Sequence, residues 1–151
     1  MTAVLDKVRE AVAQCAPGGL RAAVVKCGDL AGRKRCGPGV YVFFDEEWVY
    51  YVGESADVCR RLGEHCEAHI GGSEGVVRFL AYLLDRACET RGEWLGKPPA
   101  EVERWLKERL LKPFIHGLNI YVASGEGIGK DLLRGVEKCL RERLRPLLNP
   151  A

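Results

Sequence analysis

The polar and apolar positions change period several times along the chain, and each change predicts an element. Over residues 2–15, Val4, Leu5, Val8, Val12 and Cys15 recur at helical intervals, and APGG at 16–19 stops the run. LRAAVVKC at 20–27 fits either a short strand or another helical turn. After the breaker CGPG at 36–39, the runs VYVFF and WVYYVG flank the acidic turn Asp45-Glu46-Glu47, which predicts an antiparallel hairpin. Asp57 opens a helix whose inward stripe is Val58, Leu62 and Cys66. GGS at 71–73 ends it, and further amphipathic stretches cover about 74–91 and 99–111, separated by GKPPAE. Leu118 to Ala123 reads as a third strand. A last helix over about 129–145 buries Leu133, Val136, Leu140 and Leu144 and stops at Pro146.

This order predicts an α+β fold: a small three-stranded antiparallel sheet flanked by helices. At 151 residues a single domain is the expectation. Residues 1–30 form an N-terminal extension to it, and 71–116 a helical insert between the first core helix and the third strand. In the insert, Phe79, Leu80, Leu83, Leu84, Trp105 and Leu106 read as packing residues. Its basic residues, Arg78, Arg86, Arg91, Arg104, Lys107 and Arg109, are candidates for phosphate or base contacts.

Composition narrows the classes. The N-terminus carries Asp6, Lys7, Arg9 and Glu10 where a signal peptide needs an apolar core, and no apolar run reaches the length of a membrane span. The expectation is a soluble, cytoplasmic protein with no membrane partner. A net charge of +2 excludes binding to nucleic acid by bulk charge alone. Its distribution is more telling: Arg33, Lys34 and Arg35 cluster, and Lys130, Arg134, Lys138, Arg141, Arg143 and Arg145 enrich the last helix. Either group suits a phosphate-binding face, and either suits a solvated one.

Seven cysteines stand at 15, 27, 36, 59, 66, 88 and 139, with none of the close C-x-x-C pairs of a structural zinc site, so no zinc is expected. The odd count excludes complete pairing within one chain. With one Gln, two Asn and one Met, the chain is poor in thermolabile side chains. That points to a thermophile, where intracellular disulfides are an accepted exception.

The chemistry lies in residues that are unremarkable one by one. Glu137 falls in or beside the buried stripe of the last helix, one turn from Leu133 and from Leu140. A carboxylate there needs a cation, either an arginine or a metal ion. Arg61 and His65 are four apart and share a helix face. Tyr41 and Tyr51 sit on neighbouring strands. Together the positions form an ordered set: Gly39-Val40-Tyr41, then Tyr51-Val52-Gly53, then Arg61 and His65 in RRLGEH, then Glu137, then Asn149 after RPLL.

This set resembles the GIY-YIG nuclease family, with GVY and YVG as the two motif tripeptides. The likeness covers about 37–70 and 117–149. It implies metal-dependent hydrolysis of phosphodiester bonds in DNA by a compact, stand-alone restriction-like or repair-type endonuclease. By position, Glu137 would hold one Mg²⁺ or Mn²⁺ ion, Tyr41 would activate the attacking water with help from His65, and Tyr51 would orient the water or phosphate. Arg61 would stabilise the phosphate charge, Asn149 would buttress the site, and Gly53 would let the phosphate backbone approach. Arg33, Lys34, Arg35, Arg60, Arg78, Lys138 and Arg141 are the expected nucleic-acid contacts. Cutting both strands with one site per chain calls for a homodimer or for repeated nicking. Two other readings stand beside the enzyme: a catalytically idle nucleic-acid-binding module of the same fold, and a protein-interaction module in which the tyrosines and Glu137 are structural.

Overall fold

In a computed structural model of the chain, which describes residues 2–32, 36–70, 74–86 and 91–149, two helical layers enclose one antiparallel sheet. The elements run α1 (Ala3–Cys15), β1 (Arg21–Val25), a 3₁₀ turn (Cys27–Leu30), β2 (Gly39–Phe44), β3 (Val49–Ser55) and α2 (Val58–Cys66). There follow α3 (Glu74–Arg86), the short α4 (Arg91–Trp94), α5 (Pro99–Trp105), a π-helical stretch (Leu106–Leu111), α6 (Lys112–Gly117), β4 (Asn119–Ser124) and α7 (Lys130–Leu144). No helix among the described residues is long and apolar enough to cross a membrane.

The sheet has four strands in the order β1-β4-β2-β3, not the expected three. The additional strand is β1, formed by the segment whose pattern fits both strand and helix. It pairs antiparallel with β4 from Arg21 opposite Ser124 to Val25 opposite Ile120. Four of its five residues are exposed, so it lacks the alternation that marks a half-buried strand. Residues 2–30 pack with the rest of the fold. They supply β1 to the sheet and α1 to a helical layer, where Val8, Ala11 and Val12 are buried.

Strand β2 is central and buried along its whole length, which explains its unbroken VYVFF run. Its side chains sort by face. Val40, Val42 and Phe44 join Val8, Val12, Val52, Leu133, Val136 and Leu140 in a mostly aliphatic core under α1 and α7. Tyr41 and Phe43 join Tyr50, Tyr51, Leu62, Phe79 and Ile115 in an aromatic core under α2, α3 and α6. Phe79 of the insert is completely buried there, edge-on to Phe43 with ring centroids 5.2 Å apart. Helix α3 of the insert is therefore part of this layer, although Leu84 stays exposed.

Strict alternation would put Tyr50 and Tyr51 on opposite faces. Both lie in the aromatic core because the β2–β3 pairing slips by one residue between Phe43 and Phe44, pairing them with Tyr51 and Val49. The hairpin turn is held by Asp45, which accepts from the Glu47 and Trp48 N–H groups and from the Tyr50 hydroxyl at 2.7 Å. Burial pushes its carboxyl up, but these donors outweigh burial and hold it below the usual range.

Three disulfides join Cys15 to Cys139, Cys27 to Cys66 and Cys36 to Cys59. The first ties α1 to α7. The other two fix α2 at both ends, Cys59 in its first turn and Cys66 at its last residue.

Candidate active site

The site is built on the hairpin and α2. Asp57 caps α2, accepting from the Arg60 N–H at 3.3 Å, and Val58, Cys59, Leu62, His65 and Cys66 form the buried stripe. That stripe draws His65 fully into the aromatic core, at 1% exposure. Its Nε2 lies 2.8 Å from the hydroxyl of Tyr41, which is itself buried. Tyr51 completes the group, with ring centroids 6.4 Å from Tyr41 and 6.2 Å from His65.

Two glycines make room for this packing. Gly53 pairs directly across the strands with Tyr41, and a Cβ there would overlap the tyrosine ring and hydroxyl. The space expected to admit a phosphate backbone is thus filled by the phenol of the same hairpin. Gly75, in the first turn of α3, stands where a Cβ would press to 2.8 Å from His65 Cε1 and 3.3 Å from the Tyr51 ring.

Burial sets the electrostatics. It lifts the Tyr41 hydroxyl well above the usual phenol pKa, and Tyr51 raises it further. Arg61 acts in the opposite direction, while Glu54 and Glu137 add to the rise. Burial, and then the Arg61 charge, depress His65 to about 4. At neutral pH the pair is therefore a neutral phenol against a neutral imidazole.

Arg61 is one third exposed and meets Glu64 at 3.1 Å; its neighbour Arg60 meets the same carboxylate at 2.6 Å. Glu137 comes from α7, on the other side of the sheet, but its charge reaches the Tyr41 hydroxyl. Its Oε1 lies 2.9 Å from Arg141 Nε, a close charge contact whose N–H is not aligned as a hydrogen bond. Asn149 docks on the free edge of β3. Its Oδ1 accepts from the Val52 N–H at 2.6 Å and its Nδ2 donates to the Val52 carbonyl at 2.9 Å, between Tyr51 and Gly53. The Leu147 and Leu148 N–H groups bond the Val49 and Tyr50 carbonyls, so the tail covers that edge.

Of the expected nucleic-acid contacts, Arg60 borders the site, Arg78 is half-buried on α3, Lys138 is exposed on α7, and Arg141 faces Glu137. Arg33, Lys34 and Arg35 lie outside the described residues. Sequence reading did not join Arg60 and Arg61 to the start of α7. A cleft of about 410 Å³ between them is lined by Glu54, Arg60, Arg61, Lys130, Leu133 and Arg134, among others. The basic residues were each visible in the sequence, but not that these two groups face each other. No group of three His, Cys, Asp or Glu side chains suited to a metal ion occurs among the described residues. No protein-family model, curated protein or solved structure matches this chain.

Proposed function

We propose that this protein is a metal-dependent endonuclease that hydrolyses phosphodiester bonds in DNA, of the compact GIY-YIG kind. The observation that carries the reading is the contact between the Tyr41 hydroxyl and His65 Nε2 at 2.8 Å, inside a group that includes Tyr51 and feels the charges of Arg61 and Glu137.

The raised pKa of Tyr41 argues against a standing phenolate as the base. A relay fits better. With the His65 proton on Nδ1, Nε2 accepts from the Tyr41 hydroxyl. As water attacks phosphorus, its proton passes to the Tyr41 oxygen and the phenol proton passes to Nε2. The low pKa of His65 keeps Nε2 free to accept across the neutral range. Tyr51 orients the water or the phosphate. Arg61 offers a fork of donors to the charge that builds on the phosphate. Asn149 fixes β3 at Val52, which holds Tyr51 in place.

Glu137 is the residue that would hold Mg²⁺ or Mn²⁺. One carboxylate, with no dense ligand cluster beside it among the described residues, suits an ion that would keep most of its waters. When bound, the ion neutralises charge on the phosphate and on the departing 3′ oxygen.

The contact between Arg141 and Glu137 favours a second reading, in which the carboxylate is structural and the domain binds nucleic acid without cutting it. Incubating supercoiled plasmid with magnesium or manganese, with and without chelator, separates the two. The enzyme reading expects metal-dependent nicking that Glu137→Ala abolishes. Tight binding with no nicking by the unaltered protein would leave the idle module.

A further inference from the structure

Four cations face one carboxylate across the cleft between the start of α2 and the start of α7. Arg60 and Arg61 come from one wall, Lys130 and Arg134 from the other, and Glu54 stands between them at the end of β3. Arg60 and Arg61 share the Glu64 carboxylate, whereas neither Lys130 nor Arg134 has a carboxylate partner among the described residues. Like charges gathered from elements some seventy residues apart repel one another. An anion between them turns that repulsion into attraction, and a concave site in which cations outnumber the Glu54 carboxylate concentrates the field that draws it in.

The cleft also has an apolar part, Ala56, Ile128 and Leu133. Its volume of about 410 Å³ falls toward the lower end of the roughly 300–1,000 Å³ typical of small-ligand sites. That is room for one sugar–phosphate unit, with charge for the phosphate and hydrocarbon for the sugar, and not for a duplex. Arg61 belongs both to this cleft and to the group around Tyr41, whose hydroxyl feels its charge. Arg61 therefore joins the cleft to the group around Tyr41.

We propose that this cleft is a nucleotide subsite, in which Arg60, Lys130 and Arg134 hold the sugar–phosphate unit adjacent to the one that is cut. Its assignment to the cut strand rests on the nuclease reading; its affinity for a nucleic-acid backbone does not.

The test is fluorescence anisotropy with a labelled single-stranded oligodeoxynucleotide, titrated between 50 and 200 mM salt, roughly the range over which phosphate contacts are lost. Lys130 and Arg134 are exposed, so Lys130→Ala/Arg134→Ala tests charge without disturbing the core. The expected result is at least about tenfold weaker binding and a salt slope reduced by about 1 to 2. Lys7→Ala/Arg9→Ala, which removes equal charge from α1, is expected to keep the original affinity. Unchanged affinity and slope in the cleft variant, or equal weakening in the α1 variant, overturns the subsite. Plasmid nicking by the unaltered protein is read alongside. Nicking with no binding defect in the cleft variant removes the subsite and leaves the nuclease. A binding defect without nicking keeps a nucleotide-binding cleft and removes the nuclease.

Discussion

The two faces of the sheet are built from different chemistry. Under α1 and α7 the core is mostly branched aliphatic, with Val8, Val12, Val40, Val42, Val136 and Leu140 almost wholly excluded from water. Under α2 and α3 it is aromatic, and within it lie a phenol and an imidazole almost wholly excluded from water. Taking two such groups out of water costs stability unless they bond to each other, and Tyr41 and His65 do. The aliphatic face has no such cost and anchors the sheet from behind. One sheet thus divides the labour: its back supplies cohesion, and its front carries polar groups that only a rigid support can keep dry and aligned.

On the proposed nuclease reading, the largest effect that tests this division is on DNA cutting. Tyr41→Phe keeps the ring and its packing but removes the hydroxyl, and single-turnover cutting at saturating DNA is expected to fall by about 10²–10⁴-fold. Near-normal cutting would make the front face merely structural. The matching change on the back is Leu140→Ala, at a completely buried position. It is expected to lower unfolding free energy by about 2–5 kcal/mol in denaturant titrations, with cutting per folded molecule unchanged. If cutting falls as steeply as it does for Tyr41→Phe, the two faces are not separable in function.

The third effect is pH dependence. His65 is held at about 4 when folded, against 6.5 in the unfolded chain. Between those values the unfolded state binds the extra proton, so folding stability rises with pH across that window. Its contribution is complete above about pH 6.5 and is lost as the pH falls toward 4, to the extent of about 3 kcal/mol. Denaturant midpoints at pH 7 and pH 4.5 measure it, and His65→Asn is expected to flatten the difference. Leu140→Ala is expected to shift both midpoints in parallel. An unflattened profile in His65→Asn would assign the acid sensitivity to other groups.

Much of the front face was legible in the sequence because it is local. The hairpin follows from VYVFF, the acidic turn and WVYYVG, and the spacing of Arg61 and His65 follows from helical period. The slip at Tyr50 was not legible, since VYYV reads as an unbroken apolar and aromatic run whether or not a bulge interrupts the ladder. Strand β1 was ambiguous because exposure on both faces leaves no period to read. Glu137 could be seen to need a cation, either an arginine or a metal ion, but the pattern did not choose between them or single out Arg141, which the fold places against it. The cleft depends on which ends of α2 and α7 meet, a long-range fact that only folding supplies.

The cross-links have a topological consequence. Cys36–Cys59 closes a loop inside the one closed by Cys27–Cys66, and both lie inside the loop of 124 residues closed by Cys15–Cys139. From Cys15 to Cys139 the chain thus forms three concentric rings. Breaking one peptide bond anywhere between positions 15 and 139 leaves a single covalent molecule. A break between 36 and 59 leaves the severed halves joined three times over. While its sulfurs stay oxidised, the protein can be wounded at the backbone without coming apart.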